Sequence, residues 1–432
     1  MTSIKVTPGK LQGELRIPPS KSYTHRAVIL ASIADGTSII KNPLLGRDTM
    51  ASIRACQALG VKIKVGENTV EIQGPGPNTA PSDIINVENS GTTLRFMTAI
   101  SALSPNGHTV LTGDSSIRKR PMQPLLDALA QVGVTCWSTQ LTGTAPIVIS
   151  GGGIRGGVAN IDGSISSQFA SSLIVSCLRA RSKTEVHLIG DTVSRPYVDA
   201  TLEITKRFGG TVDSRQAETF TIPANQTISP TNIEIPADLS SAALLSACTV
   251  MTDSQVTFRG IDFTLPQADM QIIEMLKCLG AQIKFDAAKA KLVVTNDGDL
   301  NGGTFDLHDC PDLTPVIAVL ALRSTRVTRI SRIEHTRFKE TDRISILAQE
   351  LPKTGAKVTE YPDGLKIQPP SSIQPCELDA HDDHRLFMAF CAAAMAASAP
   401  CIIHGLETID VSYPSFINDL TSIGATFEVM DK

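Results

Sequence analysis

At 432 residues, 42% hydrophobic and 19% charged, the chain is long enough for two or three domains, each with its own core. Its 39 basic and 43 acidic residues leave a net charge of −4, which excludes a general nucleic-acid or anionic-membrane binder and leaves only local basic clusters to consider. Residues 1–10 have no apolar core, the apolar run at 386–397 is shorter than the ~20 residues of a membrane span, and nine cysteines without a CxxC pair build neither a disulfide framework nor a zinc ribbon. A cytoplasmic protein is expected, with Cys177, Cys248 and Cys391 as small core residues of apolar helices.

In chain order, residues 3–6 predict a strand. A helix opening at Ser22 runs into Ala27–Val–Ile–Leu–Ala31, a strand follows at 37–40, and a second helix ends at Gly60 before a strand at 62–65. The pattern then recurs. First helices open at Gly91, Ser167, Ser240, Asp312 and Asp383; second helices end at Gly133, Gly209, Gly280, Gly355 and Gly424. Strands are expected between them at 110–112, 186–189, 256–258 and 401–404. Successive closing glycines lie 73, 76, 71, 75 and 69 residues apart, so one strand–helix–strand–helix–strand–strand unit is written six times. Each glycine suits the left-handed residue that closes a helix. The last copy lacks its final strand, and the strand at 3–6 is expected to supply it.

The fold class expected is therefore α/β: two domains, each of three repeated βαβαββ units in an inverse α/β barrel-like arrangement, with the active site in the interdomain cleft. Proline interrupts the pattern at Pro18–Pro19 and Pro236. These breaks predict one discontinuous domain, 1–17 plus 236–432, and one inserted domain, 18–235.

The helix openings carry the chemistry. They read Ser20–Lys21–Ser22, Asn89–Ser90–Gly91–Thr92, Ser166–Ser167–Gln168, Asp238–Leu239–Ser240–Ser241, Asp312 and Asp383–His384–Arg385. Serine and aspartate there are ordinary caps, and that reading suffices for Asp238, Ser240 and Ser241. It does not explain Lys21, Arg26 and Arg385, whose cations oppose the positive end of a helix unless an anion lies between. The second helices add Arg118–Lys119–Arg120–Pro121, Ser194–Arg195–Pro196–Tyr197 and Lys339–Glu340–Thr341–Asp342–Arg343, with Lys339 and Arg343 expected on one helical face. Gly151–Gly152–Gly153–Ile154–Arg155–Gly156 matches GxGxxG but lies between strands, so it reads as a turn. His381–Asp382–Asp383–His384 has no further ligand spaced to make a metal site, and no P-loop exists.

These motifs, in this order and nearly end to end, resemble the 5-enolpyruvylshikimate-3-phosphate synthase family of enolpyruvyltransferases. The resemblance implies transfer of the enolpyruvyl group of phosphoenolpyruvate to the 5-hydroxyl of shikimate 3-phosphate with release of phosphate, in aromatic amino acid biosynthesis. It implies that Ser22 and Arg26 hold the shikimate carboxylate, and that Ser166, Ser167 and Ser194 hold its phosphate. Lys21, Arg120, Arg343, Arg385, Gln168 and the Gly91 backbone would hold phosphoenolpyruvate, with Asn89 in the same substrate-binding set. Asp312 would be the base at the attacking hydroxyl. Lys339 and Glu340 would stand at the reacting centre, with Lys21, Asp312 and Glu340 the catalytic candidates.

Two substrates with about six negative charges need such cations, because two like charges 4 Å apart repel by roughly 4 kcal/mol at an effective dielectric of 20. The chain departs from the family in two places. No Lys or Arg occurs from Gly405 to Asp431, where many members have a lysine, so one cation is missing or supplied from elsewhere. His335 replaces a common Asn, an exchange expected to keep a hydrogen bond to a substrate hydroxyl and to add pH dependence. The related transferase acting on a UDP-linked amino sugar typically has Lys-Asn and a loop cysteine; here Lys21–Ser22 and a cysteine-free loop stand instead. A non-catalytic scaffold on the same fold is disfavoured by Lys21, Asp312, Glu340 and Arg385 occurring together. No metal, flavin or nicotinamide cofactor, no nucleic acid and no membrane partner is expected; the protein is expected to be a monomer.

Overall fold

The computed structural model describes residues 2–76, 78–214 and 218–430. It divides into two compact units, one of residues 1–18 and 236–432, the other of residues 19–235.

In the 19–235 unit, the first sheet runs in the order Asn232–Glu234, Thr37–Lys41, Thr69–Gln73, Lys62–Val65. The first pair is parallel and the rest antiparallel. A second sheet repeats this order with Ile85–Asn86, His108–Thr112, Ile147–Ser150 and Cys136–Ser138. A parallel pair needs a crossover, and here the helix Gly91–Ser101 supplies it. The third sheet has three strands, Gly157–Asp162, Thr184–Ile189 and Thr219–Ile222. Where its siblings have a fourth strand, the described residues show only a bridge between Asp213 and Thr221.

The discontinuous unit holds three sheets of the same order. In one, Gln12–Arg16 lies parallel to Gln255–Arg259. In another, Thr304–Asp306 lies parallel to Thr328–Ser331. In the third, Ser3–Thr7 sits antiparallel between Cys401–His404 and Thr426–Met430. Ser3–Thr7 alternates along its length, so Ile4 and Val6 are fully buried. The parallel edge strands Gln12–Arg16 and Asn232–Glu234 each lie just before a crossing, so each unit takes one parallel edge from the chain about to leave it.

The core of the discontinuous unit is three packed helices, Leu239–Met251, Thr314–Leu320 and His384–Met395. Every residue of His384–Met395 is buried; after His384 and Arg385 its residues are apolar all round and leave no face for water. Among the described residues no helix is long and apolar enough to cross a membrane. The six closing glycines, Gly60, Gly133, Gly209, Gly280, Gly355 and Gly424, have φ of 86°, 88°, 74°, 99°, 91° and 110°, values that a side chain would strain.

Two local expectations are corrected. Asp312 does not open an α-helix: it lies in the 3-10 turn Pro311–Leu313, ahead of the helix Thr314–Leu320. Prolines 311 and 315 remove backbone donors there, and the turn tightens instead. Lys339 and Arg343 do not share a helical face either. The helix is Arg343–Glu350, capped by the Asp342 side chain on the Ser345 N–H at 3.1 Å, and Lys339 is extended before it.

Candidate active site

In the 19–235 unit, polar side chains converge on the N-terminus of the helix Gly91–Ser101. Its cap, Ser90, accepts from the Thr93 N–H. Arg120, 4% exposed, is held by Asn89 Oδ1 at 3.1 Å and Ser116 Oγ at 3.3 Å. Gly91 lets that guanidinium approach, because a Cβ at Gly91 would collide with Arg120 Nη1. Gln168 is clamped alongside: its Oε1 accepts from Arg95 Nη1 at 2.6 Å and its Nε2 donates to Thr92 Oγ1 at 3.1 Å. Arg95 is braced over the Phe169 ring at 5.3 Å.

Lys21, in the first turn of the helix Lys21–Ile33, pairs with Asp48 at 3.2 Å. Asp48 is buried in the first turn of Arg47–Ala58, where its charge suits the helix end. His25 joins the same layer through Ser52 at 2.8 Å, and Ser52 reaches Thr93 at 2.8 Å. Burial holds the His25 imidazole well below its usual pKa, with Lys21 and Arg26 adding to the effect.

Arg26 has a different surrounding. Its guanidinium is 2% exposed and donates to Thr201 Oγ1, the Ser22 carbonyl and the Tyr197 carbonyl at 2.8, 2.9 and 3.0 Å. Burial pushes its pKa down to about 10. Arg26 therefore ties the Lys21–Ile33 helix to the start of Arg195–Arg207, the segment that carries Ser194. Ser194, 5% exposed, has φ of 56°, a left-handed conformation that costs a non-glycine residue roughly 1–2 kcal/mol. Ser166 caps the helix Ser167–Cys177, and Ser167 is buried in its first turn. Arg195 is committed elsewhere, to Glu218 at 3.1 Å and the Phe220 ring.

In the discontinuous unit the centre is Arg343, whose side chain is 1% exposed. Its Nε donates to Asp383 Oδ2 at 2.7 Å, Nη1 to Asp312 Oδ1 at 2.9 Å and Nη2 to Glu340 Oε2 at 2.9 Å. Burial by itself would lower the arginine pKa; the charges of Asp383, Glu340 and Asp312 reverse that and hold it above its usual value. Asp312 is shared further, with Arg385 Nη2 at 2.9 Å and Lys339 Nζ at 3.6 Å. Asp383 also caps His384–Met395 by accepting from the Arg385 N–H at 2.8 Å. Three cations and three carboxylates thus interlock, which leaves Asp312 an anion gripped from three sides.

His335, 4% exposed, has no hydrogen-bond partner on either ring nitrogen among the described residues. Burial, then the charge of Lys339, pushes its pKa down to about 3. That shift favours the neutral imidazole. Ser240 is not a plain cap: its hydroxyl donates to Asp269, while Asp238 caps the helix through the Ser241 N–H at 2.8 Å. Of the tandem histidines, His381 faces Glu350 at 3.5 Å and His384 begins a buried helix.

Nothing in the sequence marks Asp48 or Asp269. Both are lone acids in ordinary helix-start positions, and only the fold brings them to Lys21 and Ser240.

The family model described as EPSP synthase (3-phosphoshikimate 1-carboxyvinyltransferase) matches residues 6–420. A 3-phosphoshikimate 1-carboxyvinyltransferase of Methanococcus maripaludis is 41% identical over 433 residues, with 100% of each chain covered. Another, of Methanocaldococcus jannaschii, is 42% identical over 421 residues, with 97% of each covered. The EPSP synthase of Acinetobacter baumannii superposes with a TM-score of 0.83 at 26% identity, covering 100% of both chains. A match this complete, over a chain whose helix starts gather these cations and carboxylates, shows that the protein belongs to the EPSP synthase family.

Proposed function

We propose that the chain transfers the enolpyruvyl group of phosphoenolpyruvate to the 5-hydroxyl of shikimate 3-phosphate and releases phosphate. In this reading each unit is a trio of βαβαββ repeats, and both contribute residues that bind the substrates. The observation that carries it is Asp312: one carboxylate held at once by Arg343, Arg385 and Lys339, in a chain whose full-length relatives bear the transferase name.

Each residue's surroundings suggest its part. Ser166, Ser167 and Ser194, at the starts of two helices, suit a phosphate, which accepts from hydroxyls and helix N–H groups. Ser22 suits the carboxylate; Arg26, with three donors already on protein oxygens, chiefly shapes that pocket and offers its remaining N–H groups. Lys21, Gly91, Asn89, Arg120 and Gln168 form one anion-binding end for phosphoenolpyruvate. Lys339 and Arg385 form the other, with Arg343 holding the carboxylates in place. His335 is a neutral partner for a substrate hydroxyl.

In the first step the 5-hydroxyl oxygen bonds to C2 of phosphoenolpyruvate, its proton passes to Asp312, and the methylene carbon gains a proton from Glu340 or Lys21. In the second the C2–O bond to phosphate breaks and the methyl group returns a proton. Fixed cations favour both steps, because they are already oriented when charge moves.

Phosphate release tests the reading. It is expected only when both substrates are present; release from phosphoenolpyruvate alone, or none with both, would contradict it. Gly91→Ala, which pushes Arg120 aside, is expected to raise KM for phosphoenolpyruvate by about ten- to a hundredfold. KM for shikimate 3-phosphate should stay near its starting value.

A further inference from the structure

Glu350 has no part in the roles above, yet it is 1% exposed. It ends the helix Arg343–Glu350, where a carboxylate meets the negative end of the helix dipole. Burial adds to that cost unless partners offset the charge. Three partners do so. Lys353 Nζ donates to Oε1 and Oε2 at 2.8 and 2.7 Å, the Asp379 N–H donates to Oε2 at 2.9 Å, and His381 Nε2 lies 3.5 Å from Oε1.

Two of those partners begin the segment that delivers Asp383 and Arg385. In its turn His381 and Asp382, neither of them glycine, stand in succession at φ of 48° and 61°. Side chains disfavour that left-handed conformation, which persists only where the surroundings hold it. Asp379 Oδ1 accepts from the His381 N–H at 2.7 Å, and the Ala380 carbonyl accepts from the Asp383 N–H at 2.9 Å. Asp383 then caps its helix through the Arg385 N–H at 2.8 Å. The helix Arg343–Glu350 therefore grips this segment from both its ends. Arg343 Nε holds Asp383 at 2.7 Å from the first residue, and Glu350 holds Asp379 and His381 from the last.

We propose that Glu350 is a positioning residue for phosphoenolpyruvate binding. By fixing the strained His381–Asp382 turn, it sets where the helix His384–Met395 begins, and so where the Arg385 guanidinium stands, 2.9 Å from Asp312. The inference rests on the reading above that Arg385 holds phosphoenolpyruvate; Glu350 itself touches no substrate. Without its carboxylate the turn loses the holds on Asp379 and His381 and relaxes toward ordinary backbone. Arg385 then leaves the geometry in which its planar fork meets an anion. Arg343 still holds Asp312, Glu340 and Asp383, so the loss falls on substrate binding and not on the acid–base groups.

The test is KM for each substrate, measured by phosphate release with the full-length chain. Glu350→Ala is expected to raise KM for phosphoenolpyruvate about tenfold, with kcat and KM for shikimate 3-phosphate changed by less than about twofold. Because the effect runs through Arg385, adding Glu350→Ala to Arg385→Gln should raise that KM by less than about twofold more. Glycine takes positive φ without strain, so Asp382→Gly in the Glu350→Ala background should bring KM back to within about threefold of wild type. Glu350→Gln keeps the volume and an acceptor for the Asp379 N–H, and it serves where the alanine variant does not fold. Its rise is expected to be roughly threefold, and again absent in the Arg385→Gln background. A wild-type KM for phosphoenolpyruvate in the alanine variant, or in the glutamine variant should alanine not fold, would overturn the proposal. So would a rise of full size on top of Arg385→Gln, an equal rise in KM for shikimate 3-phosphate, or no recovery with Asp382→Gly. Absence of phosphate release from the wild type with both substrates would instead overturn the function on which it rests.

Discussion

Asp312→Asn is expected to lower kcat by about 10²–10⁴-fold, the range in which a positioned acid–base group contributes. Asparagine fills the same volume and can still accept from Arg385, but it cannot take the proton of an attacking hydroxyl. It also removes the charge at which Arg343, Arg385 and Lys339 meet, at 2.9, 2.9 and 3.6 Å. Two freed cations could then bind phosphoenolpyruvate more tightly, so KM should hold steady or fall while kcat collapses. That split separates a lost base from a lost ligand. A variant with kcat within a few-fold of wild type would remove Asp312 from proton transfer.

Arg343→Met is expected to be the most damaging substitution for stability. Arg343 touches three carboxylates, and Asp383 beside it is fully buried. Without the guanidinium these acids are left together in a low-dielectric setting, a situation that costs about 3–5 kcal/mol. Urea denaturation would measure it. Carboxyls left unpaired by burial bind protons more readily folded than unfolded, so the deficit should narrow as pH falls and widen as it rises. Adding Asp383→Asn to Arg343→Met should recover part of the loss, since one stranded charge is gone. If Arg343→Met unfolds at the wild-type denaturant concentration, the interlocked cluster contributes nothing to the fold.

What the sequence made legible was what is local. The glycines closing the second helices stand at positive φ because a single residue decides that geometry. Ser20, Ser90, Ser166 and Asp383 cap first helices because a side chain reaches only two or three residues forward. Long-range placement was not legible. Nothing in Lys21 announces Asp48, and nothing in Ser240 announces Asp269. Arg26 reads as a ligand cation in sequence, yet it spends three donors on Ser22, Tyr197 and Thr201. Lys339 and Arg343 do meet at Asp312, but through a capped turn and not along a helix face. Partners 170 or more residues apart, as Arg26 and Thr201 are, are set by how sheets and helices stack, which no window of sequence encodes.

In the proposed reading, Arg120 and Arg385 both bind phosphoenolpyruvate. A double-mutant cycle of Arg120→Gln and Arg385→Gln, read as kcat/KM for phosphoenolpyruvate, tests it directly. Coupling clearly above the ~0.5 kcal/mol scatter of independent distant sites is predicted. Strict additivity, with each loss unaffected by the other, would show that the two arginines do not serve one bound molecule.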